Sequence, residues 1–359
     1  LAAAAGTTRQ NVLLSCIHPH DAPYTDRDAQ SLLDQAKSAD KLCDTAFEDQ
    51  AIAAVANAIK AAQPQPVTHT GTGSAKVEQV ASNRRYVLPD GRISFGRTSA
   101  TRDPNIRNQP EGLIDPQLKT ISFFNGDKPL AALHCYSTHP MSYYGQGDVT
   151  PDFPGLARRR MQSEHPGIFQ IYLSGASGDT MAGRYTDGNT ANRQILADRL
   201  YTAMQSSWKT TQKHSLRTAT TRNAALVFKP RPGANYTREA MRATLASKTA
   251  DRRTRLDAAL GLSWLARLDR REPIDVPALH LGPSSIVLVP AEAFVQYQLW
   301  AQQDAPNRFV MTLGYSECAP GYIPTNDAVK EGYDDHYSWV DFATCEAAMR
   351  RAIREALRT

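Results

Sequence analysis

Two histidines separated by one residue, His18-Pro19-His20, a third at His139 and a glutamate at Glu292 are side chains of this sequence suited to holding a metal ion. Imidazole nitrogens and a carboxylate are the donors of catalytic zinc, which keeps one position open for water. Taken singly, each histidine is as readily explained as a hydrogen-bonded structural residue. Their placement argues for more. His18 and His20 lie just past the apolar run 11–17, His139 follows the run 131–137 at once, and Glu292 comes after 285–289 and Pro290. Tyr322 sits in a glycine-containing loop, 314–325, after the apolar run 309–313. In open α/β sheets the ligand crevice forms at the carboxyl ends of strands. If the backbone at 18–20 is extended, both imidazoles point to one side. One can then bind a metal while the other donates to a substrate.

These positions require a set of strands and helices to carry them. The runs 11–17, 119–124, 129–137, 169–173, 285–289 and 309–313 read as strands, and Asn125-Gly126-Asp127 marks a hairpin between the second and third. The stretch 26–60, rich in Ala and Leu, reads as helical. Asp152-Phe153-Pro154 is a helix start, with Asp152 the candidate cap. Residues 189–208 form an amphipathic helix with Leu196, Leu200, Ala203 and Met204 on one side. Two helices are expected in 237–268 and a last one over 342–357, while 1–6 reads as the final turn of a helix closed by Gly6. Helices and strands intermix with no repeat and no linker. The fold class is α/β, mixed β-sheets flanked by helices, with residues 1–359 as a single domain.

Composition bounds the function. The chain has 359 residues, 41% of them apolar and 21% charged, with a formal net charge of +5. No apolar run is long enough to cross a bilayer. Between Arg238 and Glu272 nine Arg and Lys face five Asp and Glu, a surplus best explained as a solvated helix pair. No nucleic-acid-binding motif accompanies it, so no nucleic-acid partner is expected. Five cysteines lack CxxC spacing; Cys16 and Cys135 lie in strand-like runs and are expected to be buried. The stretch 174–183 is glycine-rich but lacks the GK[ST] ending of a phosphate loop. Tyr143 and Tyr144 are expected to pack, and Asp148 and Asp152 to hold the loop after His139. Asp21 either orients His20 or caps a turn before Pro23.

In order along the chain, several segments resemble the neutral/alkaline ceramidase family, in particular its bacterial ceramidase-like branch. Asn11 to Asp21 (NVLLSCIHPHD) is similar to the family's NVxxSxTHTHSGP segment, and Ala81-Ser82-Asn83-Arg84-Arg85 to its Asn-Arg pair. Residues 133–140 resemble the segment with the second zinc histidine, and 175–179 the glycine-rich GD loop. Pro290-Ala291-Glu292 resembles PGE, and Gly321-Tyr322-Ile323-Pro324-Thr325 resembles SxYxTT. The resemblance implies one Zn2+ held by His18, His139, Glu292 and Tyr322, with His20 and Arg84 stabilising an oxyanion. It also implies hydrolysis of an amide in a small or lipid-like molecule, and an exported protein.

The sequence departs from the family in three places. Gly178-Asp179-Thr180-Met181 puts Met181 where the family has a serine discussed as a nucleophile, so no covalent serine mechanism is carried over. His18-Pro19-His20-Asp21-Ala22-Pro23 replaces HTHSGPGG at the rim. No counterpart of the immunoglobulin-like domain of full ceramidases is expected within residues 1–359, and the first residues read as an element cut short. Two other readings follow: a metal-dependent esterase or phosphoesterase, and a domain that keeps its metal without turnover.

Overall fold

The computed structural model describes residues 1–145 and 148–358. Its core is two mixed sheets packed face to face. The first has five strands in the order β7 (Phe169–Ser174), β6 (Lys128–Tyr136), β5 (Gln117–Asn125), β1 (His69–Lys76) and β9 (Gln212–Ser215). β6 and β7 run parallel and the other pairs antiparallel. The second has four, in the order β10 (Ala219–Leu226), β11 (Ile274–Leu281), β12 (Ser284–Leu288) and β14 (Phe309–Leu313), the last pair parallel. Ile121 and Cys135 of the first sheet meet Ile286, Leu288, Met311 and Leu313 of the second in one apolar cluster. Alternation along each strand sends the intervening residues to the outer faces.

Helices cover those outer faces. α4 (Asp152–Glu164) and α5 (Asn192–Lys209) lie on the first sheet, where Leu118 packs with Met161, Leu196, Leu200 and Met204. α1 (Arg27–Gln35), α6 (Arg238–Ala246), α7 (Arg252–Asp269), α8 (Val295–Gln303) and α10 (Cys345–Leu357) share a cluster with Val276, Val287 and Val310 of the second sheet. Three two-stranded pairs complete the set: β2 (Ser82–Asn83) with β8 (Thr180–Met181), β3 (Tyr86–Val87) with β4 (Ile93–Ser94), and β13 (Glu292–Ala293) with β15 (Tyr322–Ile323). The remaining helices are α2 (Thr45–Ala61), α3 (Pro104–Arg107) and α9 (Asn326–Lys330). Among the described residues no helix is long and apolar enough to cross a membrane.

Several expectations need correction. Residues 11–17 form no strand: after a 3-10 turn at Arg9–Asn11 the chain is extended at Val12, and Cys16 N makes a ladder-like bond to Tyr315 O at 3.1 Å. Leu13 reaches the inter-sheet cluster while Leu14 and Cys16 stay exposed, so Cys16 is not the buried residue its neighbours suggested. The helix expected over 26–60 is two, because Asp26 and Asp44 each cap a separate start. At α4 the cap position is Pro151; Asp152 lies just inside with φ of +47°. Residues 1–6 are turns with Gly6 at φ +64°, not a helix end. The expected helix pair over 237–268 is present as α6 and α7, and Arg238, Arg255 and Arg267 of the basic stretch form ion pairs with Asp269, Asp40 and Glu317.

Candidate metal centre

The segment after β6 delivers His139, which is fully buried. Its Nδ1 faces two backbone carbonyls, Ser177 O at 2.7 Å and Thr180 O at 3.1 Å. Carbonyls only accept, so Nδ1 must carry the proton and Nε2 keeps its lone pair in the neutral ring. That Nε2 lies 3.1 Å from Glu292 Oε2. His18 Nε2 lies 3.7 Å from the same oxygen and is buried with no hydrogen-bond partner among the described residues. Neutral imidazole and carboxylate are both acceptors at these atoms. Such a convergence is favourable only with a cation or a proton among them.

Glu292 and Tyr322 are paired residues on parallel β13 and β15, so their side chains leave the ladder on the same face. Arg84 Nη2 donates to Tyr322 Oη at 2.7 Å, and its guanidinium lies 4.9 Å from the ring centroid. Arg84 Nε is buried without a partner among the described residues. The three imidazoles also converge, with ring centroids 4.9 Å apart for His18 and His20, 5.0 Å for His18 and His139, and 5.7 Å for His20 and His139. One ligand nitrogen from each lies within 4.8 Å of the other two. The structure therefore gathers His18, His20, Arg84, His139, Glu292 and Tyr322 in one place. It does so by a different local route than expected: His18 has φ of +63°, so strand alternation is not what brings His18 and His20 together.

Electrostatics suit ligand chemistry. Burial disfavours charge on His18 and holds it at about 4. His20 is the most exposed of the three, yet the protein around its ring and the two neighbouring imidazoles hold it at about 3. Both are neutral at pH 7, with lone pairs available. Burial alone would raise Glu292, but His18, His139 and Arg84 around it outweigh that and hold the carboxyl at about 2. Burial raises Tyr322 well above the usual phenol value, with Glu292 adding to the rise and Arg84 opposing it.

Supporting contacts explain how distant segments stay in register. Asp179 accepts from Asn83 Nδ2 at 2.8 Å and from Val295 N at 2.7 Å, while its carbonyl accepts from Arg84 N at 2.7 Å. Burial keeps its carboxyl above the ordinary value despite these bonds. A Cβ on Gly178 would sit 2.1 Å from Glu292 O, so only glycine lets this loop lie against β13. Ser174 Oγ donates to Ile17 O at 2.7 Å, tying the His18 segment to the end of β7.

Tyr315 went unnoticed in the sequence. It is fully buried, its ring stacks on His18 at 4.3 Å and its hydroxyl contacts Ser177 Oγ at 2.7 Å. Its place just past β14 is the same signal that marked His139. Met181 is buried in the β2–β8 pair, with Ser99 Oγ 3.8 Å from its sulfur. Asp21 pairs with Arg193 at 3.8 Å, and Asp152 does hold the loop after His139 through Ser142 N at 3.1 Å. Arg84 also lines a recess of about 290 Å³ with Ser94, Phe95, Tyr333, Asp334 and Asp335.

No family model and no curated protein matches the chain. Among solved structures it is similar to neutral ceramidase from Pseudomonas aeruginosa, with a TM-score of 0.58 and 15% identity over 86% of this chain. A ceramidase complexed with C2 gives a TM-score of 0.57 and 14% identity over the same share. The chain spans 56% of the length of each of those proteins. At such identities the likeness establishes the fold, a ceramidase-like arrangement of mixed sheets flanked by helices.

Proposed function

We propose that this chain is a zinc-dependent hydrolase of amide bonds, with a lipid-like or other small amide as substrate. The observation that carries the reading is the meeting of His139 Nε2, His18 Nε2 and Glu292 Oε2 with the His139 proton fixed on the opposite nitrogen. His18, His139 and Glu292 would hold the ion, with Tyr322 completing the set beside its paired glutamate. When bound, zinc supplies Lewis acidity and lowers the pKa of water to about 7.

The chain's own residues supply the rest. Arg84 keeps its charge because Tyr322 and Glu292 beside it outweigh the opposing effect of burial. Its unpartnered Nε is a donor for negative charge developing on a substrate carbonyl. His20, at the open side of the cluster, is the second donor. No nucleophilic role falls to position 181, where a thioether stands. The likeness to two ceramidase structures supports amide chemistry, and the recess beside Arg84 offers room for part of a substrate.

Metal analysis of the purified protein, with turnover of an amide panel measured with and without chelator, tests this. One zinc per chain and chelator-sensitive amide hydrolysis are expected. Two metals with phosphatase activity would favour a phosphoesterase, and one zinc without turnover a binding domain. The three-histidine cluster favours a second ligand set in which His20 replaces Tyr322. Loss of zinc in His20→Ala would establish that set.

A further inference from the structure

We propose that Arg193 is a positioning residue that locks together the two loops carrying the metal-binding histidines. The proposal rests on the zinc reading above. Arg193 stands in the first turn of α5, which contains no acidic residue. A cation there opposes the helix dipole, so its own helix does not account for its place. Its partners lie elsewhere. Nε donates to Ser142 Oγ at 3.0 Å, Nη1 to Thr150 Oγ1 at 3.5 Å and Nη2 to Asp152 Oδ2 at 3.1 Å, all in the segment that follows His139. The same Nη2 lies 3.8 Å from Asp21 Oδ2, in the residue after His20. Its guanidinium also covers the Tyr143 ring at 4.1 Å.

The two loops meet a second time where Thr150 N donates to Asp21 O at 3.0 Å. Asp152 is held at φ +47°, with Oδ1 accepting from Phe153 N at 2.6 Å and Oδ2 from Ser142 N at 3.1 Å. One planar fork thus spans the His18-to-Asp21 segment, the segment after His139 and α5. A lysine has the charge but a single nitrogen, so it cannot reproduce the fixed directions in which Arg193 donates from Nε, Nη1 and Nη2. The geometry sets the distance between the two histidine-bearing segments, and with it the affinity for the ion they share.

Zinc affinity of the whole chain is measured by competition with a chromophoric chelator for wild type, Arg193→Ala, Arg193→Lys, Asp21→Asn and the Asp21→Asn/Arg193→Ala double variant. The thermal midpoint of each metal-free protein is recorded alongside. Arg193→Ala is expected to weaken zinc about 10-fold or more, and Arg193→Lys by less. Asp21→Asn leaves the Arg193–Asp152 contact in place; it is expected to weaken zinc with its metal-free midpoint unchanged, and to add nothing in the double variant. Unchanged affinity in Asp21→Asn, or losses that add, overturns the proposal. Should Arg193→Ala fail to fold, Asp21→Asn against wild type decides alone. Zinc bound equally by wild type and variants removes this proposal only, whereas a wild type that binds no zinc removes the metal reading and this proposal together.

Discussion

At His139 the two ring nitrogens are sorted by their surroundings: two carbonyls claim the Nδ1 proton, leaving the Nε2 lone pair to face Glu292 Oε2 and a cation shared between them. Truncating either partner of that contact should therefore act on metal and rate together. His139→Ala and Glu292→Ala are expected to lose both zinc content and amide turnover, whereas His20→Ala keeps zinc and loses kcat by roughly 10²–10³-fold, the usual effect of removing one transition-state donor. Met181 tests the opposite case. Its side chain is buried in the β2–β8 pair, so Met181→Ser should lower stability in urea unfolding by about 2–5 kcal/mol and bring no gain in turnover. At this scale much was legible: His18, His139 and Glu292 stood out by type and by following apolar runs. Arg84 is marked only by the family resemblance, and Tyr322, although it lies past the run 309–313, takes its role from the same source, because a phenol and a guanidinium are too common to mark a site. Tyr315 was missed because an aromatic beside a strand reads as packing.

Elements were legible where their signals are local. The hairpin of β5 and β6 follows from Asn125-Gly126-Asp127, and β14 and α5 from their apolar patterns. β11 was not recognised, since Pro277 interrupts its run. α8 lacks a side-chain cap of its own; Asp179 supplies the acceptor for Val295 N from 116 residues away. β13 and β15 are two residues each, too short for any periodicity to register. The Gly178-Asp179 turn serves both: it packs on β13 and caps α8. Gly178→Ala would drive a methyl into the Glu292 carbonyl. It is expected to displace β13 and weaken zinc about 10-fold, read by chelator competition.

For the molecule as a whole, the sandwich buries imidazoles that would otherwise be charged in mild acid. Burial holds His18 and His134 each at about 4, below the ordinary 6.5. The unfolded chain takes up protons at these rings near pH 6.5 while the folded chain does not until about 4. Their contribution to stability is thus complete above 6.5 and is lost as pH falls towards 4. Glu292, held at about 2, loses its contribution below its ordinary 4.5, in the same direction. Thermal midpoints of metal-free protein should drop between pH 7 and pH 4; a rise over that range would contradict the assigned protonation states. Zinc added at pH 7 should raise the midpoint with concentration.

The proposed donors stand at positions 18, 139, 292 and 322 of a 359-residue chain, so no short fragment brings them together. An ion bound among them would bridge stretches that span nearly the whole polypeptide. An ion that binds only where all four side chains already meet acts on the native state, and interactions absent from the transition state slow unfolding rather than speed folding. The ion would then act as a clasp on the finished molecule, lengthening its residence in the native state while leaving the speed of its assembly almost untouched.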